Sequence, residues 1–193
     1  MKKTLILVLA AAAMLLAGAN ASAQVSIGAG PATRIYFDKG ADPYYAVGVQ
    51  LNFEDSMRLS DVFAYSAGID FGTYRKKGYM LSSTNLTEMY VDLPVRAKFY
   101  IPCGGGFDLF FFGGVVPAVC LSSNVRLESD KVSRFGENSN YSRYDVMAGG
   151  GIGAEIAERF KIALGYDHGL LNRYKETGTL HTAAAKFTVS FLF

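Results

Sequence analysis

The chain has 193 residues, 50% apolar and only 19% charged, which suits one domain with a sizeable core and excludes intrinsic disorder. Its 21 Gly, 14 Phe and 12 Tyr, with no Trp, lean towards β-structure and away from a helical bundle. The formal net charge of +2 comes from Lys2 and Lys3, since the remaining 17 Lys+Arg match 17 Asp+Glu from Gln24 onward. That balance excludes a nucleic-acid binder that works by excess positive charge.

Met1-Lys2-Lys3 is a short positive start, Thr4 to Ala17 is an almost wholly apolar run, and Ala21-Ser22-Ala23 is a small-x-small cleavage site. This is the layout of a secretory leader, and its apolar run is too short for an ordinary membrane-spanning helix. Ala19 follows Leu16-Ala17-Gly18, where a lipoprotein would place Cys. Residues 1–23 therefore read as a cleaved signal peptide and 24–193 as one exported domain. No later apolar run is long enough for a helical span, so in a membrane this domain has to be a barrel.

From there the chain alternates with period two. Val25 to Tyr36 is a weak first strand, interrupted at Pro31. Tyr45, Val47, Val49, Leu51 and Phe53 alternate with Ala46, Gly48, Gln50 and Asn52, and Phe63, Tyr65, Ala67, Ile69 and Phe71 with Ser66, Gly68, Asp70 and Gly72. Met89, Val91, Leu93, Val95, Ala97 and Phe99 oppose Tyr90, Asp92, Arg96 and Lys98. Phe107 to Leu121 is apolar on both faces, with Asp108 fixing the polar parity. Tyr144 to Ile156, Phe160 to Tyr166 and Ala185 to Phe193 complete eight antiparallel strands. Along the apolar parity of these segments there is no Lys, Arg, Asp or Glu.

Parity alone does not say whether the apolar face points outward into lipid or inward, as in a soluble lipocalin-like carrier. Three features favour lipid. The other face is rich in Gly, Ala, Ser and Thr, which suits a narrow lumen better than a solvated surface. Short connections near 55–61, 102–106 and 157–159 alternate with longer ones near 75–87, 122–141 and 172–180, the rhythm of an outer-membrane barrel with short periplasmic turns. The chain finishes on an alternating strand, Phe187, Val189, Phe191 and Phe193, the kind of C-terminal aromatic signal that barrel-assembly machinery reads. Aromatics near strand ends (Tyr44, Tyr45, Phe53, Phe63, Tyr90, Phe99, Tyr144, Phe160 and Phe191) are expected to form the interfacial girdles. The reading is an all-β, eight-stranded, up-and-down transmembrane barrel in the outer membrane of a Gram-negative bacterium.

Tyr90-Val91-Asp92-Leu93-Pro94-Val95-Arg96-Ala97-Lys98-Phe99-Tyr100 resembles the fourth-strand motif of the PorT-like family of small outer-membrane barrels. Gly149-Gly150-Gly151-Ile152-Gly153-Ala154-Glu155 resembles its Gly-rich sixth strand, and Tyr166-Asp167-His168-Gly169-Leu170-Leu171-Asn172 the end of its seventh. The resemblance implies an eight-stranded barrel with the architecture of OmpX or the OmpA transmembrane domain. It implies no single shared activity.

The inward parity carries Asp70, Asp92, Asp108, Asp145, Glu155 and Asp167 against Arg34, Arg96, Lys98, Lys161 and Lys186. They are expected to pair and plug the lumen, not to form an ion path. A turn centred on Glu158 places Glu155 opposite Lys161, and a turn at Gly104 places Lys98 diagonal to Asp108. His168 and His181 fall on the apolar parity near the outer strand ends, where they read as interfacial side chains. The competing reading is a lipid-modifying enzyme, which needs a nucleophile beside a histidine and an orienting carboxylate. Ser142 is about three same-face pairs from His168, and no carboxylate shares that face. Cys103 and Cys120, separated by a strand, read as unpaired thiols. No catalytic, metal or cofactor-binding set emerges: two His and two distant Cys supply no spaced ligands, and no helix follows Gly149 to Gly153 to make a phosphate loop. Outer-membrane lipids and the assembly machinery are the expected partners, with any specific partner at outer loops 75–87 and 122–141.

Overall fold

The structure, a computed structural model, describes residues 23–79, 83–127, 130–135, 139–176 and 178–193. Ten strands form: β1 (Ala23–Asp38), β2 (Tyr44–Arg58), β3 (Phe63–Lys77), β4 (Thr84–Asp92), β5 (Val95–Pro102), β6 (Phe107–Leu127), β7 (Asp130–Ser133), β8 (Tyr144–Ile156), β9 (Phe160–Gly169) and β10 (Leu180–Leu192). The signal-peptide reading of 1–23 falls, except for Ala23, outside the described residues.

All neighbours are antiparallel, and β1 pairs with both β2 and β10, so the main ring of strands closes on itself without a free edge. The wall has eight staves, because β4 and β5 are two halves of one. Pro94 has no N–H to give to a ladder. The chain instead bridges the gap with Leu93 N donating to Pro117 O (2.8 Å) and Gly68 N donating to Pro94 O (2.9 Å). Register runs through the break without a slip, from Asp70↔Asp92 to Ala67↔Val95. β7 is not a stave; it folds back on the long-loop end of β6.

One end of the barrel has tight turns. Ile156–Arg159 closes with Ala157 and Glu158 both at positive φ (53° and 56°) and Arg159 N donating to Ile156 O, the backbone of a type I′ hairpin. Gly104, Gly105 and Gly106 all have positive φ (83°, 65° and 76°), which only glycine adopts without strain over three successive residues. Alternation sorts the side chains as expected. Val49 (60% exposed), Phe99 (53%), Ile152 (54%) and Leu164 (56%) clad the outside, while Asp92 (1%), Lys98 (2%) and Asp167 (0%) lie within. Asp108 does mark the inward parity of β6, with Phe110 and Val116 buried beside it.

Several expectations are corrected. Segment 122–141 is not wholly irregular: β6 continues to Leu127 and returns as β7. Likewise β3 reaches Lys77 and β4 starts at Thr84, shortening the 75–87 connection. Tyr90 is buried and Tyr44 stacks on buried Tyr36 (centroids 4.5 Å apart), so both tyrosines belong to the interior and not to a girdle. Cys103 is exposed at a turn and Cys120 is buried, each a free thiol.

Candidate functional site: the charged lumen and its cap

Antiparallel staves with small inward residues leave a lumen just wide enough for long side chains to meet. They meet in tiers. At the short-turn mouth Arg58 bonds Asp108 (3.1 Å) and Glu155 (2.8 Å), lies over the Tyr100 ring, and Tyr100 Oη donates to Glu155 (2.8 Å). Above it Glu54 accepts from Lys98 and Lys161, both at 2.5 Å, while Ser56 and Ser26 accept a second bond from each lysine. At mid-height Lys186 bridges Asp70 (2.9 Å) and Asp92 (2.8 Å), Asn52 donates to Asp70, Arg34 clamps Asp92, and Arg96 bonds Asp167 (2.8 Å).

The long-loop end is capped from above. Glu88 accepts from Tyr36 and from Ser123 (2.6 Å) and lies 3.5 Å from Arg134. Arg134 stacks on Tyr141 (3.8 Å to the ring centre). Arg173, fully buried, donates Nε to Ser142 O (3.0 Å) and lies 3.9 Å from Asp145, to which Thr182 also donates. Tyr174 donates to Asp38 (3.0 Å); partial burial and this bond push its phenol up to about 12, so it stays a donor at physiological pH.

Eight of the nine carboxylates in these tiers and the cap lie within 4.0 Å of a cation, namely Glu54, Asp70, Glu88, Asp92, Asp108, Asp145, Glu155 and Asp167, while Asp38 accepts from Tyr174 instead. Facing them are Arg34, Arg58, Arg96, Lys98, Arg134, Lys161, Arg173 and Lys186, so these two sets of charges cancel. A cavity of about 50 Å³ beside Glu54, Arg96 and Lys186 leaves room for a few water molecules.

The residues read from sequence are thus brought together, but two of the pairings differ. Glu155 does sit opposite Lys161 in register, yet Glu155 bonds Arg58 and Lys161 bonds Glu54. The turn at 103–106 pairs Pro102 with Asp108 and Lys98 with Phe112, one step wider than expected, so Lys98 is not diagonal to Asp108. Glu54, Arg58, Glu88, Arg134 and Arg173 were missed. Inward parity extended from Asn52 and Tyr90 would have found the first three. The two cap arginines lie outside the alternating segments and carry no such signal.

His168 and His181 project outward as expected, with rings 6.4 Å apart and Phe37 packed on His168 (5.7 Å). Ala148 pairs with His168, which keeps Ser142 three same-face pairs away. Among the described residues no cluster of three or more His, Cys, Asp or Glu could hold a metal. The terminal residues Phe187, Val189, Phe191 and Phe193 also face outward, and Phe191 packs edge-on against Phe160 (5.6 Å) and Phe193 (5.0 Å).

An edgeless ring of eight staves, apolar outside and self-neutralised within, defines a transmembrane β-barrel of the outer-membrane type. In barrels of that type the short turns face the periplasm. The chain belongs to the outer membrane protein beta-barrel domain family, whose model matches residues 17–174. No curated protein matches it. Its fold is similar to Ail, the attachment invasion locus protein of Yersinia pestis (13% identity, TM-score 0.57, covering 89% of this chain and 99% of Ail). It is also similar to Neisserial surface protein A (13%, 0.54, covering 90% and 98%) and to the outer membrane enzyme PagL (12%, 0.52, covering 86% and 97%).

Proposed function

We propose that this outer-membrane barrel is not an enzyme and not a pore, and that its specific activity is surface interaction through its outer loops. The observation that carries this reading is the lumen itself: long side chains meet in ion pairs at its mouth, at mid-height and at its cap. The strands extended above the apolar band and the packed cap present a folded surface to the exterior. The terminal Phe187, Val189, Phe191 and Phe193 serve as the signal to the assembly machinery. Within the family, kinship to the PorT-like barrels rests on the order and spacing of the Tyr90–Tyr100, Gly149–Glu155 and Tyr166–Asn172 motifs, and Pro94 of the first makes the break in the fourth stave.

The lipid-modifying alternative draws on the likeness to PagL and on the outward histidines, but among the described residues neither histidine pairs with a carboxylate, and the hydroxyl beside His168 is the Tyr166 phenol at 3.5 Å, not a serine. Two measurements decide. Purified protein in a planar bilayer gives no stable porin-sized conductance steps, and cells carrying the wild type or His168→Ala show the same lipid profile. Regular large steps would overturn the plugged lumen, and a lipid species dependent on His168 would establish an enzyme.

A further inference from the structure

The outer wall across β1–β4 is not smooth. A groove of about 660 Å³ runs along it, lined mainly by apolar groups including Ala29, Pro31, Leu51, Phe71 and Met89, with Leu121 at one side. Part of its origin is local: the extra residue at Leu121 bulges β6 against β4. Small exterior side chains at Ala29 and Thr73 leave the hollow unfilled. The volume falls within the range of sites that take small hydrophobic ligands.

Directly above the groove the same face turns basic. Residues paired across antiparallel strands share a face, so the register places Lys77, Asn85, Arg126 and Lys131 in one outward row. Arg75 lies one same-face step nearer the membrane, opposite Thr87. All four cations are exposed, and none forms an ion pair among the described residues. Three strand spacings make this ledge about 14 Å wide. From Lys77 to Phe71 is six residues of β3, about 20 Å along the strand. That is comparable to one leaflet's hydrocarbon depth of about 15 Å once strand tilt is allowed for.

An apolar trench at acyl-chain depth beneath exposed cations at headgroup height is complementary to an anionic amphiphile. We propose that this wall binds a phosphorylated lipid of the outer leaflet, an acyl chain in the groove and the phosphate on Arg75, Lys77, Arg126 and Lys131. The site is separate from the lumen, from the cap and from the histidine pair, and it stands whether or not the outer loops have a protein partner.

The test is a lipid titration of the full folded protein in detergent, read by native mass spectrometry, with diphosphoryl lipid A, its dephosphorylated form and inorganic phosphate as probes. Each cation near an anionic headgroup contributes about fivefold in affinity. The R75Q/K77Q/R126Q/K131Q variant is therefore expected to bind the diphosphoryl form at least tenfold more weakly. A29F/T73F, which fills the groove and spares the ledge, is also expected to lose at least tenfold. K39Q/K175Q, which removes two other exposed outer cations, stays within twofold. Heat-dependent gel mobility confirms that each variant is folded. Equal binding of phosphorylated and dephosphorylated lipid would overturn the proposal, as would an unchanged quadruple variant or an equal loss in K39Q/K175Q. Displacement of the lipid by an equimolar amount of inorganic phosphate would show a free-anion site in place of a lipid site.

Discussion

Replacing Lys186 with Met keeps the length of the side chain and removes one charge from the middle of the lumen. The structure says where the cost falls. Lys186 is 6% exposed, with Nζ 2.9 Å from Asp70, 2.8 Å from Asp92 and 4.0 Å from Asp167. Without it Asp92 keeps Arg34, and Asp167 keeps Arg96. Asp70 alone loses its only cation and is left with the amide of Asn52 at 2.6 Å. One buried carboxylate stripped of its partner costs about 3–5 kcal/mol. Asp70→Asn alone should cost about 1–2 kcal/mol, since Lys186 retains Asp92. In the double variant the stranded charge is gone, so Asp70→Asn should recover about 2 kcal/mol of the Lys186→Met loss, a coupling that a double-mutant cycle reads directly. The assay is urea unfolding in detergent micelles, followed by far-UV circular dichroism and by the mobility of unboiled protein. A Lys186→Met variant within about 1 kcal/mol of wild type would refute the ion-pair account. Strict additivity of the two substitutions would refute the placement of the cost on Asp70.

Three further outcomes are expected. Deleting Phe193, or replacing it with Asp, lowers barrel insertion and leaves protein in the periplasm; normal outer-membrane levels for both would count against the terminal signal. Trypsin on intact cells cuts at Arg126 or Lys131, which are exposed, before Arg134, which is held over Tyr141, and spares Arg58 until cells are broken; cutting at Arg58 first would invert the topology. Glu54→Gln destabilises the barrel by about 3 kcal/mol or more, because Lys98 and Lys161 share that carboxylate and would be left as adjacent buried cations; urea unfolding with a change below about 1 kcal/mol would disprove the shared bridge.

The barrel was readable because lipid outside and a narrow lumen inside impose opposite chemistries on successive residues. Val49 and Gln50 or Phe71 and Asp70 announce their faces without reference to any distant part of the chain. The strand ends were harder to read, because the pattern changes once a strand leaves the hydrocarbon. Thr73, Arg75 and Lys77 continue the outward parity of Phe71, but as polar groups they look like loop. Glu54 and Glu88 stayed hidden for the same reason. The ion-pair partners depend on something alternation does not carry, namely which staves lie across the lumen from one another. Glu155 and Lys161 are neighbours in a hairpin, yet each finds its partner on β2. Arg134 and Arg173 were beyond reach because a long side chain on a connection can bend into the lumen from outside any regular element.

The charge on Lys186 also has a consequence in time. Asp70 sits on β3, whereas its cation arrives on β10, the last stave to be made. A chain assembled only through β9 holds an uncompensated carboxylate facing what will become the lumen, a state that water tolerates and hydrocarbon does not. Closing the ring of β10 onto β1 is therefore also the step that discharges the interior. Lys186→Met chains should accordingly accumulate at the membrane surface, open to protease, for longer than wild type.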